Sequence, residues 1–188
     1  MRFLNTFLIE VLFDDGSTKQ FSTQRDINDM SMNHLPMPEV KLIRDDSNSD
    51  GKVDFYKLTI KFRSNPKMVR HVNLLASFEY FIQKKLKMNM KGIINFSVDT
   101  PVGASRIIAD GSLVLKQTRP VLIDSITRYL YNEDPLMAKK SEQYSLQKII
   151  QDYYQRVEYV DYDYNRIIQP MGSPSSTTIE IGVHIPHS

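Results

Sequence analysis

Cysteine is absent from the 188 residues of this chain. No disulfide framework is available, and no thiolate exists to bind zinc or to act as a nucleophile. Long apolar runs are also missing. No stretch approaches the ~18–20 consecutive apolar residues needed to cross a bilayer. The opening segment, Met1 to Phe13, is apolar but broken by Arg2, Asn5 and Glu10, and it lacks the small-residue cleavage site of a signal peptide. A charge of one sign is lacking too. Lys plus Arg number 24 against 22 Asp plus Glu, so nothing draws the whole molecule to nucleic acid or to acidic lipid. Motifs of enzymes are equally scarce: no G-x-S-x-G, no Gly-rich phosphate loop and no H-E-x-x-H occurs.

What is present is period-two patterning. Hydrophobic residues make up 41% of the chain, enough for a substantial core, and they fall into alternating runs. Phe7, Ile9, Val11 and Phe13 alternate ahead of Asp14-Asp15-Gly16, a hairpin-type turn. Leu58, Ile60 and Phe62 alternate before the breaker Ser64-Asn65-Pro66. Val72, Leu74, Ala76, Phe78, Tyr80 and Ile82 form the clearest strand, with Leu75 out of phase. Ile94, Phe96 and Val98 follow a basic stretch from Lys84 to Lys91. Ile107-Ile108 and Leu113-Leu115 read as two strands around an Asp110-Gly111 turn. Thr177 to Ile185 reads as the last strand. Asn28 to Pro38 reads as an irregular loop, and Tyr153 to Tyr164 has strand composition with weak phase. One segment has helical spacing: Leu146, Ile149, Ile150 and Tyr153, with Ser145 as N-cap. The sum predicts a single, mainly β domain over residues 1–188, an antiparallel β-sandwich with one short helix.

The sharpest local motif is Asp46-Ser47-Asn48-Ser49-Asp50-Gly51-Lys52-Val53-Asp54. Oxygen-bearing side chains at the first, third and fifth positions, with Gly at the sixth, match the first half of a calcium loop. An EF-hand would place a bidentate Glu at the twelfth position; Lys57 stands there, so an EF-hand is excluded. The expected ligands of a structural Ca2+ are the side chains of Asp46, Asn48, Asp50 and Asp54 and the carbonyl of Lys52. An acidic turn without a metal, with Gly51 serving its backbone angle, is the competing reading.

Other chemistry is thinner. His184 and His187 would lie on opposite faces of a strand. Asp161 and Asp163 share a strand face, as paired carboxylates do in glycosidases, but a polar face between tyrosines is expected. Lys84, Lys85, Lys87 and Lys91 form a basic run that reads as a solvated strand end, with lipid head groups as the competing contact. Asn95-Phe96-Ser97 is an N-glycosylation sequon.

The order of these pieces resembles the transmembrane protein 231 family. The resemblance runs from the aromatic-apolar strand of Phe3 to Phe13 and is sharpest at Asp46 to Asp54. It continues through Val72 to Ile82, Ile93 to Val98 and Asp110-Gly111-Ser112-Leu113. It then takes in the helix of Tyr144 to Tyr153, the Tyr154 and Arg156 pair, and the strand Thr178 to Pro186. It implies an extra-cytoplasmic domain between two transmembrane helices, both absent from this chain. It also implies a place in the ciliary transition-zone membrane complex, with tectonic and B9-domain proteins as partners and no nucleic acid. That complex restricts diffusion between ciliary and plasma membranes and serves ciliogenesis. No catalysis is implied, so no active-site residues carry over. The competing functional reading is a soluble, calcium-stabilised carbohydrate- or ligand-binding β-module. A glycoside-processing enzyme ranks below both.

Overall fold

Alternating apolar runs become strands in the computed structural model, which describes residues 1–30, 33–64, 66–83, 87–119, 128–137, 145–170 and 175–185. The strands are β1 (Arg2–Phe13), β2 (Thr18–Ser22), β3 (Glu39–Asp45), β4 (Phe55–Arg63) and β5 (Val69–Gln83). They continue as β6 (Lys87–Asp99), β7 (Ala104–Gln117), β8 (Arg128–Leu130), β9 (Glu158–Pro170) and β10 (Ser176–His184). The helices are α1 (Arg25–Met30) and α2 (Leu146–Tyr154). One sheet has the order β2-β1-β5-β6-β8 and the other β3-β4-β10-β7-β9.

Between the sheets lies the main core. Phe7, Ile9 and Val11 of β1 meet Val72, Leu74, Ala76 and Phe78 of β5 and Ile94, Phe96 and Val98 of β6. From the other sheet come Leu58, Ile60 and Phe62, Ile107, Val160, Tyr162, Ile179, Ile181 and Val183. Each such side chain contributes roughly 1.5–3 kcal/mol when fully buried. A smaller apolar cluster sits on the back of the first sheet: Leu8, Leu75 and Ile93 under Leu136 and Leu146, Ile149 and Tyr153 of α2. Leu75 breaks the alternation because it faces this helix. Ser145 caps α2 as expected, its side chain accepting from the Lys148 N–H.

Four expectations change. A second short helix, α1, occupies part of the stretch expected to be loop. The sandwich is not wholly antiparallel: β10 runs parallel to β7, and β8 parallel to β6. Period two reports which face a residue takes, not the direction of its neighbour, so the sequence had no means to reveal this. Asp110-Gly111 is not a turn but the middle of one continuous strand, β7. A Cβ on Gly111 would sit 2.0 Å from the Asp163 carbonyl oxygen, so this glycine serves close approach of β9. The methionines of the basic stretch are core residues: Met88 and Met90 are fully buried. Lys84 and Lys85 of the basic run, Tyr144 before the helix and Pro186 after the last strand lie outside the described residues.

Candidate functional site

The Asp46–Asp54 segment joins β3 to β4 and folds around its own carboxylates. Asp46 accepts from the N–H of Asp50 (3.1 Å) and of Gly51 (2.9 Å). Asn48 Oδ1 accepts from the Asp50 N–H at 2.9 Å, and Asp50 Oδ1 from the Lys52 N–H at 2.9 Å. Asp54 Oδ2 reaches back to the N–H of Ser47 (2.9 Å) and Asn48 (3.3 Å). Ser49 and Gly51 take φ of 57° and 81°, the left-handed conformation that lets the chain wrap inward. One oxygen from each of Asp46, Asp50 and Asp54 lies within 4.8 Å of the others. Hard oxygen donors at that spacing fit the chemistry of Ca2+. Lys57 does not intrude: its ammonium pairs with Glu180 at 2.7 Å on the outer face of the sheet.

This turn shares its end of the sandwich with Met1 and with Ile185, the last described residue. The Met1 carbonyl accepts from the Tyr56 hydroxyl at 3.1 Å. The Ile185 N–H donates to the Asp54 carbonyl at 2.9 Å. The opposite end carries the Asp14–Ser17 turn and the β4–β5 connection, clamped together by Lys67 and Asp15. That ion pair and the Ser17 contacts hold the Asp15 carboxyl well below the usual carboxylate range.

The tyrosine-rich segment from Tyr153 to Tyr164 is largely turned inward. Tyr153 and Tyr162 are buried. Tyr153 reaches from α2 across the seam between β6 and β9; its hydroxyl donates to the Val160 carbonyl (2.7 Å) and accepts from the Val160 N–H (3.0 Å). Burial pushes its pKa up to about 12. Arg156 stacks between the rings of Tyr131 and Tyr153, 4.5 and 4.9 Å from their centroids, and donates to the Lys91 carbonyl at 2.7 Å. Tyr162 donates to the Gly182 carbonyl and stacks on Tyr164, which in turn packs on Phe96. Tyr153, Tyr154 and Tyr159 meet edge to face. These rings close the side of the sandwich rather than present a flat platform.

The remaining residues resolve into structural roles. Asp161 accepts from the Tyr154 hydroxyl, while Asp163 is exposed. His184 pairs with Asp110 at 3.0 Å and packs at a tilt against Phe55; His187 lies outside the described residues. Asn95 is half-buried in β6 beneath α2, its amide donating to the Tyr154 hydroxyl at 3.3 Å, so a glycan there would collide with the helix. Sequence reasoning passed over a hydrogen-bonded chain from Ser97 Oγ to His71 Nε2 (3.3 Å) and from His71 Nδ1 to Asp99 (2.6 Å). These three side chains lie along the surface of paired strands, where the neighbouring backbone amides belong to the ladder. A Ser-His-Asp order alone does not form an oxyanion hole.

Among the described residues no helix is long and apolar enough to cross a membrane. Neither the curated proteins nor the solved structures yield a match. The family model described as Transmembrane protein 231 matches residues 1–188. With that match over its whole length, the chain belongs to the transmembrane protein 231 family.

Proposed function

We propose that this chain is a non-enzymatic docking domain of the ciliary transition-zone membrane complex, held end-on at the membrane on its extra-cytoplasmic side. The observation that carries the orientation is the shared position of Met1 and Ile185 beside Tyr56 and Asp54. Spans attached at both termini would then enter the bilayer from one end of the sandwich. The sides and the Asp14–Ser17 end would remain open to neighbouring subunits. Family membership supports a role at the transition zone. Tectonic and B9-domain proteins are the partners in this reading, and the diffusion barrier and ciliogenesis are its cellular outcome. The mechanism is docking by buried contact, which asks for a rigid scaffold and needs no reaction centre. Fractionation of the full-length product tests it. A product confined to the soluble pool and lacking flanking spans ends the proposal.

Calcium at Asp46, Asn48, Asp50, Asp54 and the Lys52 carbonyl is part of the same proposal. The convergence of three carboxylates supports it. The ion would pin the β3–β4 hairpin at the end where the chain enters and leaves. The carbohydrate-binding alternative draws less support, because the rings beside Asp161 stand edge to face, without the open face on which a sugar stacks.

A further inference from the structure

We propose that β3 is a self-complementary edge through which two copies of this chain pair, antiparallel, around Ile43. Among the described residues the sheets have four edges: two are covered or short, and a third, β9, is covered over its first half and ends in Pro170, which has no N–H to offer a ladder. β2 is flanked by residues 33–35, which bond to Gln20. β8 is three residues long. The first half of β9 is sealed against β6 by the tyrosines. β3 pairs with β4 through seven consecutive residues without a bulge, and no other strand pairs with it among the described residues. It contains no proline, and it exposes Val40 (43%) and Ile43 (40%). A regular, apolar edge of this kind is a template for another strand.

Its charges select the partner. Glu39, Lys41, Ile43 and Asp45 face outward from the sheet; Val40, Leu42 and Arg44 take the other face, opposite Ile60, Leu58 and Tyr56. A two-fold axis perpendicular to the sheet must match outward residues with outward residues. Centring on Leu42 would set Glu39 against Asp45, and centring on Lys41 would set it against itself. Centring on Ile43 sets Lys41 of each copy against Asp45 of the other, pairs Leu42 with Arg44, and leaves no like charges opposed. This register joins five residues from each copy. An interface that size falls below the ~1,200 Å2 of a stable complex, so the association is weak in dilute solution and strengthened by confinement in a membrane.

The absence of cysteine makes the test direct. Directly opposed residues of antiparallel strands have Cα atoms roughly 4.5–5.5 Å apart, within disulfide reach. Ile43→Cys in the full chain, oxidised at high protein concentration, is expected to give a covalent dimer. Lys41→Cys and Asp45→Cys are each expected to remain monomeric alone and to cross-link when mixed. Ile167→Cys, exposed on the opposite edge, is the control for random collision. Sedimentation gives a second reading: Lys41→Asp is expected to weaken the dimer about tenfold, and Lys41→Asp with Asp45→Lys to restore it. Equal cross-linking at all four positions, no cross-linking at 43, or no rescue by the charge swap would each overturn the proposal. Circular dichroism of every variant separates these outcomes from loss of folding.

Discussion

Replacing Tyr153 by Phe deletes one oxygen atom and strands two backbone groups. Tyr153 is 1% exposed, and its hydroxyl bonds both the N–H and the C=O of Val160, itself fully buried. Phe fills the same volume, so no cavity term arises. What remains is the cost of leaving a buried donor and a buried acceptor without partners, about 1–3 kcal/mol for each group. Partial relaxation at the seam lowers the sum, and a loss of roughly 2–4 kcal/mol is expected, a large share of the ~5–15 kcal/mol that holds a domain folded. Urea unfolding at pH 7 measures it, with Tyr159→Phe, half-buried at the rim, as a control expected to change stability by less than about 0.5 kcal/mol. The same residue sets a pH dependence. Its folded pKa of about 12 stands above the ordinary tyrosine value of about 10, because burial disfavours the phenolate, so its contribution is intact below pH ~10 and is lost as pH rises through about 12. Tyr153→Phe removes that component, and the variant's stability should fall less steeply above pH 10 than the wild type's. A variant within about 0.5 kcal/mol of wild type at pH 7, with an unchanged alkaline slope, would refute the role given to the seam.

Other perturbations follow from single contacts. Gly111→Ala drives a Cβ into the Asp163 carbonyl, a backbone atom that cannot swing away, and thermal unfolding should show one of the larger losses of any single substitution, above roughly 2 kcal/mol. Glu180 is buried on the outer face; desolvation raises its pKa, but the bonds from Lys57 and Arg106 outweigh that and hold it low. Its contribution is therefore present above the unfolded carboxylate range and lost as pH falls; Glu180→Gln should lower stability at pH 7 by about 1 kcal/mol and flatten the acid limb of a stability profile. Calcium should raise the melting midpoint and chelator lower it, and Asp50→Asn should abolish the difference. An unchanged midpoint would leave Asp46–Asp54 as a turn alone.

Much of this architecture was legible from alternation. The core face of β1, β4, β5, β6 and β10 follows from which residues are apolar at every second position, and α2 from Leu146, Ile149, Tyr153 and the Ser145 cap. Direction and edge were not legible. The parallel neighbours β7 and β10 are brought together by a long excursion of the chain, and period two is blind to it. Asp110-Gly111 imitates a turn because a glycine needed for close backbone approach and one needed for a bend are the same residue. The weak phase of Tyr153 to Tyr164 did not reveal which tyrosines are buried: a phenol among acidic neighbours goes inside when its hydroxyl finds a backbone partner, as at Val160 and Gly182. Asp46 to Asp54 folds on itself because Asp46, Asn48 and Asp50 bond the backbone amides their spacing puts within reach.

The end-on arrangement is open to one direct measurement. Single cysteines at Ser47, in the acidic turn, and at Ser17, in the turn at the far end, can carry a fluorophore in full-length protein reconstituted in vesicles. At ~3.3 Å per residue, a sandwich with strands of 9–15 residues separates these positions by roughly 30–50 Å. Energy transfer to an acceptor lipid should be strong from Ser47 and weak from Ser17. Equal transfer from the two, or stronger transfer from Ser17, would contradict a domain that stands on the end holding Met1 and Ile185.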